Sequence, residues 1–415
     1  MKFKFSGLFA FVAATIITGL AAGAQNSTLT PYSRYGYGIL SDNATSAQRA
    51  MGGVGYAMNS GRQINVMNPA SYAAVDSLTF LFDMGVDFTS LWSKEGTTSE
   101  NNFGGGLDYI TMLFPVTKYM GVSLGILPYS SVGYSFGSEI DNGATARQGS
   151  GSINQAYVGW GATPFKNFYA GFNFSYLFGN TVNDVYAYTI TGSTSLFQRE
   201  MKVRDWHLDI GLQYSFDIKP ENRVTLGVTY SPGKSLHGET YGVYYDTNLD
   251  TKPDTVGFTK LNGLYSIPAS YGAGINYQWR NRLMVEADFT YQPWKDAKYA
   301  PIENFEVTEF SNRWKIGAGV QYTPSPRGSY FQRVQYRLGG YYNHDYLMIL
   351  GNNIREYGAS VGFGFPVPGF KSVVNLGIEY KHRQANPNPL IKEQYLNITI
   401  GINFNEMWFR KAKIY

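Results

Sequence analysis

The strongest constraint on this chain is a two-residue alternation of apolar and polar side chains that returns along most of its length. Near the C-terminus Leu396, Ile398, Ile400, Ile402 and Phe404 fall on one face, and Asn397, Thr399, Gly401 and Asn403 on the other. Successive side chains of a strand point to opposite sides, so this pattern predicts a strand with one greasy and one polar face. Phe168, Phe172, Phe174, Tyr176 and Phe178 alternate in the same way with Gly171, Asn173 and Ser175. So do Trp206, Leu208, Ile210, Leu212 and Tyr214 with His207, Asp209 and Gln213. Leu283, Val285, Ala287, Phe289 and Tyr291 oppose Glu286, Asp288 and Gln292, and Tyr357 to Phe365 repeats the theme against Gly358, Ser360, Gly362 and Gly364.

The environment of those strands follows from the N-terminus and the composition. Lys2 and Lys4, the apolar stretch Leu8 to Leu20 and the small residues Ala22-Gly23-Ala24 form a secretory signal peptide over residues 1–24, with Gln25 as the expected mature start. No cysteine occurs, so lipoprotein anchoring, disulfides, a thiol nucleophile and a thiolate metal site are excluded. After residue 24 there is no run approaching the roughly twenty apolar residues of a membrane helix. Yet 16% of residues are aromatic, with 34 tyrosines and 47 glycines. A membrane barrel reconciles these facts, because only alternate residues face lipid and aromatics fill the interfacial girdles. A soluble sandwich or lipocalin also alternates, but its apolar face points to the core and it rarely runs so many long hairpins. A net charge of +4 with no dense basic run gives no reason to expect nucleic acid.

Turn signals divide the strands. Short connections are expected at Val116-Thr117-Lys118, Pro164 to Asn167, Ile218 to Asn222, Arg280-Asn281, Pro324 to Gly328 and Val367-Pro368-Gly369. Longer polar connections are expected near 94–102, 138–149, 187–195, 233–258, 295–303, 344–353 and 383–393. Short turns on one rim and long loops on the other imply an all-β, transmembrane antiparallel barrel of about fourteen strands over residues 77–415, with the short turns periplasmic and the long loops extracellular. Strand pairs such as 168–186 with 196–216 exceed the roughly ten residues needed to span and are expected to project beyond the outer leaflet. Residues 25–76 lack sustained alternation but are rich in small residues and poor in charge, so they should pack rather than remain disordered. A barrel this wide cannot fill its bore with side chains alone, and this segment is the expected plug, or hatch.

Several motifs resemble the FadL/TodX (OMPP1) family of outer-membrane transporters, in a version typical of Bacteroidota. Arg49-Ala50-Met51-Gly52-Gly53-Val54-Gly55, followed by Asn68-Pro69-Ala70-Ser71 and Asp76, resembles that family's N-terminal hatch. Ile126 to Tyr134 resembles its third strand, Ile267 to Gly274 a later strand, and Asn403 to Phe409 its ending. The resemblance implies a fourteen-strand barrel with a hatch, passive uptake of hydrophobic molecules such as long-chain fatty acids or aromatic hydrocarbons, and lateral exit at a kinked third strand. It makes Arg49, Gly52, Gly53, Asn68, Pro69 and Ala70 candidate gating residues, and Pro128 with Tyr129 the candidate kink. Proline cannot donate to a strand ladder, so Pro128 marks an interruption, whether or not anything passes there. Bacteroidota also use members of this family as non-transporting parts of protein-export assemblies, so the resemblance bears more on fold than on substrate.

The polar faces of the strands place Asp83, Asp87, His207, Asp209, Glu286, Asp288, Lys315, Arg337, Glu379 and Lys381 toward the lumen. Buried charges persist by pairing, so a network bracing hatch to wall is the plain reading and a polar path or headgroup site the functional one. Arg34, Arg49 and Arg62 are the expected hatch cations. No enzyme and no cofactor are expected. Gly133 to Gly137 and Gly121 to Gly125 fit the hydrolase elbow pattern, but neither lies on a strand-to-helix turn. His207, His237, His344 and His382 lack metal-ligand spacing, and Asp246 to Asp250 lacks the glycine and glutamate of a calcium loop. Two functions remain: a channel for small hydrophobic ligands, or a docking subunit of an outer-membrane export or assembly complex. Outer-membrane lipid is the expected partner in both, with a hydrophobic ligand in the first and outer-membrane proteins in the second.

Overall fold

Strands that alternate in this way can bury no core as single ribbons, and here they close on each other. The computed structural model describes residues 29–140, 143–189, 194–246, 254–260, 263–301 and 308–407; the expected signal peptide, residues 1–24, lies outside them. Fourteen strands make the wall: β1 Thr79–Glu95, β2 Thr98–Thr117, β3 Met120–Ile140, β4 Gly143–Phe165, β5 Phe168–Thr189, β6 Thr194–Lys219 and β7 Asn222–Ser231. They continue with β8 Ser270–Trp279, β9 Leu283–Gln292, β10 Arg313–Tyr322, β11 Gln335–Ile349, β12 Asn352–Pro366, β13 Val373–Asn386 and β14 Lys392–Met407. Each pairs antiparallel with its neighbours, and β14 closes on β1 from Thr79↔Met407 to Lys94↔Lys392. A fully closed ring removes free edges in principle, and one departure from that rule is described below.

The wall changes character partway up. On β6 the outward residues Trp206, Ile210, Leu212 and Tyr214 are exposed, while inward His207, Gln213 and Ser215 are buried. Above Trp206 the sense reverses: Lys202 and Arg204 point out, and Met201 and Val203 are buried. The same reversal occurs on β12, where Tyr357 is exposed and Glu356 buried, but one step higher Arg355 is exposed and Ile354 buried. On β5 buried Ser175 gives way to buried Leu177. In lipid the outside must be apolar and the lumen can be polar; in water the preference inverts. The level of Trp206 and Tyr357 therefore marks the membrane boundary on the long-loop side. Above it the barrel encloses an ordinary apolar core built from Tyr32, Tyr37, Met201, Val203, Trp294, Tyr346, Leu347 and Ile354, with Trp294 and Tyr346 ring centroids 4.5 Å apart.

The short connections sit where the sequence places them. Asn167 and Asn281 take positive φ there (65° and 52°), a conformation asparagine tolerates better than most residues. Several expected long loops differ. Residues 98–102, 138–140 and 143–149 are strand, and the β1–β2 connection is a tight turn at Gly96-Thr97. Residues 187–189 and 194–195 are strand as well, and Gly238–Asp246, expected within a long loop, adds to the outer part of β6. These stretches read as loops because small and polar residues such as Ser99, Glu100, Asn101, Asn102, Thr145 and Gln148 leave no apolar face for a two-residue period to show.

Candidate functional site

The segment before β1 lies inside the barrel, and its contacts are mostly to backbone. A 3-10 turn Pro31–Arg34 leads to a two-residue strand, Ile39–Leu40, a helical turn Ser46–Arg49 and a second 3-10 turn Pro69–Ala74. Thr45 and Gln48 form a capping box, with the Thr45 amide donating to Gln48 Oε1 at 2.8 Å. Asn68 Oδ1 accepts the Ala70 amide at 3.1 Å, and Pro69 occupies the first turn, where its missing N–H costs nothing. The Asn68 Nδ2 donates to the Tyr56 carbonyl at 2.7 Å and to Leu212 on the wall at 3.3 Å.

The wall meets this segment through carboxylates and through bare glycines. Asp288 on β9 accepts the Gly55 and Tyr56 amides at 2.6 and 2.9 Å, and Glu286 accepts the Ala57 amide at 2.8 Å and Asn276 Nδ2 at 2.8 Å. Arg49 donates to Asp108 at 2.8 Å. Asp42 pairs with Arg313 at 3.0 Å and with Lys315. Burial would push the Asp42 carboxyl up, but the Lys315 and Arg313 cations outweigh it and hold it well below the usual carboxylate range. Asp83 reaches the hatch through Tyr109, whose hydroxyl donates to Asp83 at 2.7 Å and accepts the Ser46 amide at 2.9 Å. Around the same level a Cβ on Gly211, Gly227, Gly319, Gly339 or Gly401 would collide with Asn68, Tyr56, Met51, Met51 or Ser46. At Gly227, Gly319 and Gly339 the atom met is hatch backbone, and only glycine lets the two chains approach so closely. Gly52 (φ 77°) and Gly53 (φ 70°) make the turn that lies against Gly340, with the Gly52 amide donating to Ser360 Oγ at 2.9 Å.

The remaining lumen residues stand in separate groups rather than one network. His207 and Asp209 pair at 3.1 Å. Arg337 donates to amide oxygens, Asn375 at 2.7 Å and Gln321 at 2.8 Å among them. Glu379 accepts Asn397 Nδ2 at 2.8 Å. Arg62 pairs with Asp76 within the hatch segment itself, at the exposed short-turn mouth. Asp87, Glu379 and Lys381 line a charged cavity of about 190 Å³, together with Asp42, Arg49 and Asp108. Sequence reasoning did not single out Asp42, Asp108 or the glycine contacts. The glycines did leave a signal, because they occupy polar-face positions of strands whose other face is greasy.

Pro128 and Tyr129 sit at a break in the wall. Pairing between β2 and β3 runs from Thr117↔Met120 only as far as Ile110↔Ile126. Immediately above, β3 bulges between Pro128 and Ser130 on its β4 side. On its β2 side, Ile39–Leu40 takes over as the partner, with Ile39↔Ser131 and Leu40↔Ser130. The Tyr129 carbonyl accepts the Ser41 amide at 2.9 Å, and Ser33 Oγ bonds the Gly133 amide at 3.0 Å. The kink thus leaves a seam whose β3 side is dressed by the N-terminal segment. On the short-turn side the bore widens into a cup of about 1730 Å³, floored by Asn59 to Gln63 and Ala73 to Asp76.

Comparison with known proteins agrees with this architecture. A family model described as BamG matches residues 8–415. The toluene transporter TodX of P. putida superposes with a TM-score of 0.59 at 14% identity, over 91% of this chain and 100% of that one. A Pseudomonas aeruginosa FadL homologue gives 0.61 at 13% identity, covering 89% and 99%. The CymD monoaromatic hydrocarbon channel gives 0.57 at 14% identity, covering 88% and 97%. No curated protein matches by sequence. At such identities the likeness is one of fold: a FadL-type outer-membrane barrel with a hatch. The family match is to BamG, where the sequence motifs pointed to the OMPP1 family.

Proposed function

The chain belongs to the BamG family, and from the way its bore is filled we propose that it serves as a non-transporting barrel subunit, a docking scaffold within an outer-membrane export or assembly complex. The observation that carries this reading is that the bore is filled at two levels. Below the outer boundary the hatch is held to the wall through Asp288, Glu286 and Asp108 and through glycine contacts on several strands. Above it the lumen is an apolar core around Trp294 and Tyr346. Each hydrogen bond to a charged group is worth about 1.5–3 kcal/mol, so shifting such a hatch breaks several at once. The strands β3 to β6, 21 to 26 residues long, carry a water-facing wall well beyond the membrane. Gentle detergent extraction at native abundance should recover the chain with stoichiometric protein neighbours. Recovery as an isolated barrel would overturn the reading.

A second reading, passive passage of small hydrophobic molecules, is favoured by the seam beside Pro128 and by the printed function of the fold relatives TodX and CymD. It requires Ile39–Leu40 to leave β3. Liposomes carrying the protein should then take up a fatty acid or a monoaromatic hydrocarbon faster than empty ones, and tethering residue 39 to residue 131 should abolish the gain.

A further inference from the structure

The seam leaves a strand edge at bilayer depth. β2 pairs with β1 along nearly its whole length, from Leu81↔Leu113 to Glu95↔Thr98. With β3 it pairs only from Ile110 downward. From Thr98 to Tyr109 the described residues offer it no strand on that side. Its depth is fixed by its paired neighbours: Leu107 lies opposite Val86, Gly105 opposite Phe88 and Phe103 opposite Ser90, and Phe88 in turn lies opposite Ile398 of β14. These belong to the lipid-facing apolar belt, in which Phe103 is 72% and Leu107 42% exposed. Backbone N–H and C=O groups cannot be left open to hydrocarbon, which is why membrane barrels close. The β3 edge across the seam is already occupied by Ile39–Leu40. Behind the seam lies open space: a Cβ on Gly106 would meet nothing within 4 Å, and the cavity of Asp87 and Asp108 adjoins it.

We propose that the Thr98–Tyr109 edge of β2 accepts an extended strand from a different outer-membrane polypeptide, running antiparallel to β2, with apolar residues toward lipid and small or polar residues toward the lumen. This rests on the docking reading above and names its contact. Strand addition satisfies the edge by main-chain bonds and reads alternate side chains, and the glycines at 104–106 keep the edge flat enough for it. A second copy of this edge is disfavoured by charge. An antiparallel copy centred on the glycines would set Glu100 of each chain opposite Asp108 of the other, and like charges directly opposite one another destabilise a sheet, while Arg49 is already engaged by its own Asp108.

The absence of cysteine makes the test direct. Asn101→Cys, Phe103→Cys and Leu107→Cys, each carrying a thiol-linked photo-crosslinker, are irradiated in whole cells, with Phe172→Cys and Ile275→Cys on fully paired wall as controls. The expected result is one partner polypeptide captured from all three edge sites and not from the controls. Its contact points should step along a single segment in the reverse order of 101, 103 and 107. Capture of lipid alone, of a second copy, or of the chain's own N-terminal residues overturns the proposal. If the pull-down still recovers stoichiometric neighbours, such a result removes this contact and leaves the docking reading standing. If no neighbours are recovered, both fall.

Discussion

Arg49 of the hatch and Asp108 of β2 form an ion pair, 2.8 Å apart, that ties the plug to the same strand whose upper edge has no partner strand among the described residues. Asp108 is an extra residue in β2: Gly85 pairs with Tyr109 and Val86 with Leu107, so Asp108 bulges out of the ladder toward the lumen. Removing one member of a buried pair strands the other, at a cost of about 3–5 kcal/mol. The Arg49 side chain is partly exposed, so the lower end of that range is expected for Arg49→Met. Asp108→Asn should cost less, since it keeps an acceptor. The check is the temperature at which the folded barrel loses its fast mobility on an unboiled SDS gel. An unchanged temperature for Arg49→Met would remove this pair from the account of hatch stability.

The glycine contacts make a second, sharper contrast. Gly227→Ala and Gly339→Ala place a methyl group into the Tyr56 and Met51 backbone, which has no flexible end to yield. Gly106→Ala meets open space. Overpacking of this kind costs about 1–3 kcal/mol. Limited proteolysis of the hatch in the assembled barrel should therefore speed up several-fold in the first two variants and stay at the parental rate in the third. Equal rates in all three would mean the hatch is not held at these points.

Much of this architecture is readable from residue order, and the part that is not has a physical cause. The period-two pattern at 396–404 or 206–214 reports its own burial, because each side chain faces lipid or lumen by parity alone. Stretches such as 98–102 and 143–149 show no apolar face and look like loops, while higher stretches such as 196–203 alternate in the opposite sense. The sense depends on whether the outside is lipid or water, which the local sequence does not state. The hatch contacts are less legible still. Asp288 meets Gly55 across 233 positions, and nothing near either residue encodes that register. Asp108 was missed because a bulge puts it on the lumen side out of step with its neighbours.

Asp42 supplies a pH prediction with a definite sign. Its carboxyl is depressed in the folded barrel by Lys315 and Arg313, against the upward push of burial. A depressed acid contributes stability that is fully present above its unfolded value, about 3.9, and is lost only as pH falls through the lower folded value. Protection of the N-terminal segment from protease should hold from neutral pH down to about 4 as far as this group is concerned. Lys315→Met removes one of the two cations and should move the loss of protection to higher pH. No shift between parent and variant would show that this pair does not anchor the segment.

The reversal of alternation at the outer boundary makes the last prediction, because it assigns opposite tolerance to neighbouring residues of one strand. Leu208 lies on the lipid side of β6 below the Trp206 girdle, and Val203 faces the apolar core above it. Arginine on a lipid face costs about 2–4 kcal/mol near the midplane and less toward the interface. Lys202 and Arg204, outward but above the girdle, already carry that charge. Lys202→Leu should accordingly leave barrel assembly intact, Leu208→Arg should lower it, and Val203→Arg should damage the outer core without affecting membrane insertion. Insertion is read by the heat-modifiable gel shift, and the outer core by Trp294 fluorescence in a variant lacking the other tryptophans. If Leu208→Arg and Lys202→Leu behaved alike, the membrane boundary would not run at Trp206, and the division of the barrel into a lipid-embedded half and a water-exposed half would have to be redrawn.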